Sequence, residues 1–299
     1  METGTRTLLV LLGPTASGKT DLAIRIAQGF GTEIISADSR QFFNELSIGT
    51  AKPYPEQLSA VKHHFIGHIS VTEEYNISRF EADVLFLLEE LFKVHDVVVM
   101  CGGSGLYIDA VCNGLDEQPA HDPELREELN EALKTKGLEY LREELLKLDP
   151  EYYQKVDLSN PHRLIRALEV CMITGKPFSQ FRSGKKKERP FSIVKFGIDL
   201  PKEELHNRIH KRTDEMIELG LLEEVKANLS NRHFNALNTV GYKEIFDYLD
   251  GKCTLEEAVE KIKTNTRRYA KRQMTWFRKD KEINWINPDE SLILTDLIK

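Results

Sequence analysis

Gly13-Pro14-Thr15-Ala16-Ser17-Gly18-Lys19-Thr20 stands between the apolar run Leu8-Leu9-Val10-Leu11-Leu12 and the segment Asp21-Leu22-Ala23-Ile24-Arg25-Ile26-Ala27. Together these predict a buried parallel strand, a glycine-rich turn and an amphipathic helix, the context that gives the G-x-x-x-x-G-K-[ST] pattern its meaning. Glycine supplies the dihedrals at which successive backbone N–H groups converge on phosphate oxygens, and the positive end of the following helix adds to the field. Lys19 then carries the point charge, and Thr20 is the expected ligand of a divalent metal bound to the same phosphates. The turn reads as a phosphate cradle. Which phosphate compound it holds is a separate matter, because such cradles serve kinases, switches, motors and group transferases.

Outward from the cradle, Glu33-Ile34-Ile35-Ser36 predicts a short strand that ends on Asp38-Ser39-Arg40-Gln41. Ligands of open α/β sheets bind at the carboxyl ends of strands, so Asp38 is expected to project beside the cradle, as a catalytic group or as the cap of the next segment. Ile48–Pro53 predicts a loop. His63-His64 has no Cys or carboxylate at ligand spacing, which favours a hydrogen-bonding role over a metal site. Phe80–Phe92 has helical spacing, and Val97–Met100 is again a buried strand, running into Cys101-Gly102-Gly103-Ser104-Gly105-Leu106-Tyr107. Hydrolytic P-loop enzymes end this strand with a carboxylate that supports Mg2+. Two glycines and a hydroxyl favour close approach of the backbone and Ser104 to a ligand, and disfavour ATP hydrolysis.

From about Glu117 the texture becomes charged and helical, through Asp122–Thr135, Leu138–Lys147 and Asn160–Thr174, with Asp122 as N-cap before Pro123. The predicted fold is α/β: a P-loop NTPase-like parallel sheet core flanked by helices, formed by residues 1–118 and 187–299, with an all-helical insertion domain at 119–186. Lys185, Lys186, Lys187 and Arg189 near its end read either as phosphate contacts or as a solvated loop. Ile193–Leu200 returns to a core strand. Lys202–Leu219 predicts a helix with Arg208 and Arg212 on one face, placed to clamp an anion or to pair with Glu204 and Glu215. The last helix, Leu255–Arg278, carries Lys261, Lys263, Arg267, Arg268, Lys271 and Arg272 against a stripe of Val259, Ile262, Tyr269, Gln273 and Trp276.

The 299-residue chain is 40% hydrophobic and 30% charged, with a formal net charge of −7. That balance argues against indiscriminate coating of nucleic acid, so any nucleic-acid partner has to be met by a local basic surface, and the last helix reads either as that surface or as a solvated amphipathic helix. Cys101, Cys112, Cys171 and Cys253 form no C-x-x-C pair and read as buried free thiols in a reducing compartment. No run has the length of a membrane span and the amino terminus lacks a signal-peptide layout, so a cytoplasmic monomer with no membrane partner is expected.

The ordered series of residues 13–20, Asp38–Gln41, Ile48–Pro53, His63-His64, Gly102–Tyr107, Asn160–Glu169, Val240–Glu244 and Thr266–Phe277 resembles the bacterial tRNA dimethylallyltransferases along nearly the whole chain. The resemblance implies transfer of a dimethylallyl group from dimethylallyl diphosphate to the exocyclic N6 amine of the adenosine 3′ of the anticodon in tRNA. It implies that Gly13, Thr15, Ala16, Ser17, Gly18, Lys19 and Thr20 hold the diphosphate with Mg2+, Thr20 being the metal ligand and Arg212 a further contact. It implies catalytic roles for Asp38, Thr15, Lys19 and Ser104. The tRNA anticodon stem-loop would be met by Asp38, Ser39, Arg40, Gln41, Ser104, Arg126 and the segment His162, Arg163, Leu164, Ile165, Arg166, with Lys271 and Arg272 adding salt-sensitive phosphate contacts. Two positions depart from the family pattern: Ser104 stands where Thr is common, and His162 where a basic residue is common. The Cys/His zinc motif of eukaryotic relatives is absent from the carboxyl-terminal sequence.

The chemistry expected of these residues has three parts. Asp38 hydrogen-bonds the amine and takes its proton. Lys19, the N–H groups of Ala16–Thr20, Mg2+ and Arg212 stabilise the leaving charge. Thr15 and Ser104 orient the partners around an adenine that has left its stack. Three rivals compete: a small-molecule kinase, a prenyltransferase for free adenine nucleotides, and a non-catalytic RNA-binding or nucleotide-switch protein. The insertion and the basic helix argue against a small acceptor, and Asp38 beside an intact cradle argues against a non-catalytic role.

Overall fold

The computed structural model describes residues 6–117, 119 and 121–287. Strand β1 (Thr7–Leu12) is buried at every position, as a leucine- and valine-rich strand covered on both faces must be. It leads through the cradle into α1 (Lys19–Phe30), which is entered at Gly18 with φ 84°. The chain continues through β2 (Ile34–Ser36), α2 (Pro55–Ala60), β3 (His63–His64), α3 (Ile77–Leu91), β4 (Val97–Gly102) and α4 (Gly105–Asn113). Next come α5 (Pro123–Leu148), α6 (Pro150–Tyr153) and α7 (Pro161–Thr174), then β5 (Ser192–Ile198), α8 (Lys202–Glu218), α9 (Leu221–Ala227), α10 (Tyr242–Leu249), α11 (Leu255–Phe277) and β6 (Ile283–Ile286).

The six strands form one parallel sheet in the order β3-β2-β4-β1-β5-β6. Strand β1 is therefore central, with Thr7 opposite Val97 on one side and Ser192 on the other. Its alternate residues feed two cores: Leu8, Val10 and Leu12 pack with Phe42, Phe80 and Tyr242, whereas Leu9 and Leu11 pack with Leu22 and Ile26 of α1. Because β2 lies beyond β4, the connections out of β1 and β4 open a crevice at the carboxyl end of β1, and the cradle occupies it.

The chain divides into two compact units, residues 1–112 with 189–299, and residues 113–188. The second begins and ends slightly outside the 119–186 read from sequence. The reason is local: the Lys187 N–H donates to the Asn113 carbonyl at 2.8 Å, and Ser183 bonds to Asp116. This helical unit has its own core, including Leu129, Leu141, Leu145, Leu164 and Leu168. Asp122 caps α5, accepting from the N–H groups of Glu124 and Leu125, and Gly137 (φ 80°, ψ 179°) breaks that helix between the two predicted segments. No helix among the described residues is long and apolar enough to cross a membrane. All four cysteines are free; Cys112 and Cys171 are buried as expected, whereas Cys101 and Cys253 are only half-buried.

Candidate active site

Lys19 lies in the first turn of α1, and its Nζ donates to the Pro14 carbonyl at 2.6 Å. Burial pulls its pKa down to about 8, against the pull of Cys101 and Asp38, which favour the charged form. Arg212 comes from α8: Nη1 donates to Thr15 Oγ1 and Nη2 to the Ala51 carbonyl, both at 3.3 Å. Burial lowers the Arg212 pKa as well, while Asp38 supports its charge. Arg208, one turn earlier, instead pairs with Glu204 at 2.7 Å. Arg212 thus turns to the cradle, and Arg208 to one of the two carboxylates predicted for the pair.

The Asp38 turn is held against the end of β4. Ala37 donates its N–H to the Cys101 carbonyl at 2.8 Å, and its own carbonyl accepts the Ser104 N–H at 3.2 Å. A Cβ on Gly102 would stand 2.2 Å from that carbonyl oxygen, so only glycine allows the approach. Asp38 Oδ1 accepts the Arg40 N–H at 3.1 Å, which makes the residue a local cap as well as a carboxylate lining the site. Ser104 Oγ accepts the Ser39 N–H at 3.0 Å and donates to Ser39 Oγ at 3.1 Å. Two further predicted RNA contacts are occupied with backbone. Arg40 Nη1 donates to the Asn235 carbonyl at 2.9 Å, and Gln41 Nε2 to the Ala51 carbonyl at 2.9 Å.

A cavity of about 60 Å³ lies among Thr15, Lys19, Thr20, Asp38 and Arg212. On the cradle side is a cleft of about 740 Å³ bordered by Ala16–Thr20, Lys52, Tyr54, Arg208 and Met216. A third space, of about 420 Å³, is bordered by Asp38, Arg40, Lys243, Tyr269 and Arg272. Arg212 lines all three, and Thr15 and Asp38 line both the first and the third. Burial pushes the Tyr269 phenol up to about 12, with Asp38 adding to the shift and Ser104 opposing it.

Helix α11 buries Ala258, Ile262, Ala270, Gln273 and Phe277. Trp276, the last residue of the stripe opposite the basic face, is 36% exposed. It covers Gly105, and its indole N–H donates to Asp109 Oδ2 at 2.8 Å. Lys271 and Arg272 are exposed, while Lys263 is paired with Asp214 at 2.8 Å. The His63-His64 pair makes hydrogen bonds, as expected: His63 Nδ1 meets the Val61 carbonyl and His64 Nε2 meets Glu33.

The helical unit brings Arg126 and Arg166 together on one buried carboxylate. Glu169 is fully buried and takes Arg126 Nη2 at 2.6 Å, Arg166 Nη1 at 2.7 Å and His121 Nδ1 at 3.1 Å. Burial raises its pKa, but these partners outweigh burial and hold it below the usual carboxylate range. Leu164 and Ile165, expected to meet tRNA, are instead core residues of this unit at 0% and 4% exposure. They lie on the apolar face of α7, so the surface of that segment belongs to His162 and Arg163, with Arg166 half-buried.

Three groups were missed in sequence: Gln273, which bridges Thr15 and Gly103; Tyr269; and Glu224, which gathers the loop at 47–49. An amide in the middle of an otherwise apolar stripe was the available signal for Gln273.

A phosphate cradle facing an aspartate turn, beside a strand that ends in glycines instead of a metal-supporting carboxylate, defines a P-loop group-transfer enzyme. The chain belongs to the IPP transferase family, whose profile matches residues 41–280. It is 54% identical over 284 residues to the tRNA dimethylallyltransferase of Christiangramia forsetii, covering 95% of this chain and 94% of that one. It is 50% identical over 293 residues to tRNA dimethylallyltransferase 1 of Bacteroides thetaiotaomicron, covering 98% and 95%. Among solved structures, the full-length tRNA isopentenylpyrophosphate transferase from Bacillus halodurans superposes with a TM-score of 0.72 at 33% identity, covering 98% of this chain and 95% of that one. A eukaryotic dimethylallyltransferase acting on tRNA gives 0.81 at 27% identity, covering 97% and 76%. The P-loop-like fold and the prenyltransferase class implied by the resemblance both hold.

Proposed function

We propose that the chain transfers the dimethylallyl group of dimethylallyl diphosphate to the N6 amine of the adenosine 3′ of the anticodon in tRNA, releasing diphosphate. The observation that carries this reading is the shared lining of Thr15, Asp38 and Arg212 between the small cavity at the cradle and the space bordered by Tyr269 and Arg272. Donor and acceptor can then meet at Asp38 while each enters through its own space. The N6 lone pair forms the new C–N bond to the allylic carbon as the C–O bond to diphosphate breaks. Asp38 accepts the proton that the amine loses, a role typically worth ~10²–10⁴ in rate. Lys19, Arg212 and the N–H groups of Ala16–Thr20 meet the charge that develops on the leaving oxygen; one such preorganised donor is typically worth ~10²–10³.

Among the described residues no group of three or more His, Cys, Asp or Glu side chains could hold a metal ion. Mg2+ binds largely through substrate phosphates and its own waters, and Thr20, which lines the small cavity with Lys19, is the residue that would hold it. Bound there, Mg2+ would neutralise diphosphate charge. The tRNA anticodon loop suits this reading because a base already in a single strand is the cheapest to turn out, and exposed Lys271 and Arg272, and separately Arg163 of the helical unit, would take phosphates. The four free thiols support a reducing compartment such as the cytoplasm.

The test is to incubate the protein with Mg2+, dimethylallyl diphosphate and unmodified tRNA carrying adenosine after the anticodon, then digest and weigh the nucleosides. One prenylated adenosine at that site is expected. Phosphorylation of a small metabolite from ATP, with no nucleoside shift, would give the protein to the kinase reading.

A further inference from the structure

Gln273 joins the two turns on which the site is built, and we propose that it is a positioning residue for the transfer, fixing Thr15 of the cradle against the Gly102–Ser104 turn. Its Oε1 accepts the Thr15 N–H at 2.9 Å, and its Nε2 donates to the Gly103 carbonyl at 2.8 Å. The side chain is 7% exposed and lines the small cavity with Lys19 and Arg212. Its two partners have opposite polarity, and a carboxamide is the neutral group that offers an acceptor and a donor together. Glutamate would set an oxygen against the Gly103 carbonyl, and leucine would leave both backbone groups unsatisfied. Gly103 provides the room, since a Cβ there would stand 2.3 Å from Gln273 Nε2. Thr15 in turn accepts Arg212 through its hydroxyl, so the residue held by Gln273 is the one that seats the arginine. Trp276, bonded to Asp109 one turn further along α11, keeps that helix rotated with Gln273 inward. The helix that bears Lys271 and Arg272 is thereby bolted to the cradle.

The inference rests on the reading of the cradle as a diphosphate site, so the test uses inorganic diphosphate with Mg2+ as well as dimethylallyl diphosphate. Wild-type, Gln273→Leu and Gln273→Glu full-length proteins are titrated calorimetrically with each in the absence of tRNA, where no turnover occurs. Steady-state KM and kcat and tRNA affinity follow. Gln273→Leu is expected to bind both anions about tenfold or more weakly, with donor KM rising in step and tRNA Kd unchanged. Gln273→Glu keeps an acceptor for the Thr15 N–H but loses the donor to Gly103, and is expected to bind both anions more weakly at pH 6 as at pH 8. Lys19, Asp38, His63, Cys101 and Arg212 line the same cavity, and wild-type protein at both pH values accounts for their titration. Wild-type Kd in both variants, or a lower kcat with KM and Kd unchanged, overturns the proposal, because a merely structural role lowers only the active fraction. If Gln273→Leu does not fold, Gln273→Met, unbranched like glutamine and without its donor and acceptor, decides by the same Kd. A wild-type protein that binds diphosphate without prenylating tRNA defeats the functional reading alone; one that binds no diphosphate defeats both.

Discussion

Asp38 accepts the Arg40 N–H and lines the small cavity with the same carboxylate, which the proposed reaction uses as its base. Asp38→Ala should therefore lower kcat by about 10²–10⁴ while moving tRNA Kd much less; comparable losses in turnover and in filter-binding affinity would count against its role as base. Lys19 carries a pH signature. With its pKa near 8, the amine loses its charge above that value, whereas a bound diphosphate favours the charged form. Donor affinity should thus fall as pH rises through 8, with proton uptake on binding, and Lys19→Met should flatten the profile in calorimetry. Without ligand the sign reverses for stability: between 8 and the ordinary value of 10.5 the unfolded chain holds more protons at this lysine, so its contribution to stability rises with pH.

Between residues and the whole lie the loops that elements hold in place. Glu224 of α9 accepts the N–H groups of Ser47, Ile48 and Gly49 at 2.9, 2.8 and 2.9 Å and the hydroxyl of Tyr242 from α10. The loop so gathered offers the Ala51 carbonyl to Arg212 and Gln41. Glu224→Ala strands four donors and should cost about 3 kcal/mol or more, read as a lower denaturation midpoint; Tyr242→Phe should cost about 1.5–3 kcal/mol. The strand, cradle and first helix were legible in the sequence because their signals are contiguous and local. The bonds of Gln273 and Glu224 were not, since they join positions 258 and 177 apart, and periodicity records only that a face is buried. The same limit explains Leu164 and Ile165, where a motif named the segment but only packing separates its core face from its surface. Arg208 and Arg212 share a helix face, and their division depended on Thr15 and Glu204, which spacing cannot rank.

For the whole molecule, a net charge of −7 sets RNA binding against a repulsive background, so local cations should dominate its salt dependence. Lys271→Ala and Arg272→Ala should each reduce the slope of log K against log salt by about 0.7–0.9, measured between roughly 50 and 200 mM salt, with site selectivity unchanged. An unaltered slope would remove α11 from the RNA surface.

The central place of β1 also has a consequence in time. One neighbour pairs with it through Val97, but the other waits for Ser192. At ~5–20 residues per second, a ribosome takes roughly 5–20 s to deliver the intervening chain, and throughout that interval the strand behind the cradle has an open edge. Residues 113–188, with a core of their own, are synthesised within that pause. The helical unit ends only at residue 188, just before Ser192, so the edge of β1 stays open through the whole of its synthesis, and chains interrupted before β5 present that edge to holding chaperones and proteases.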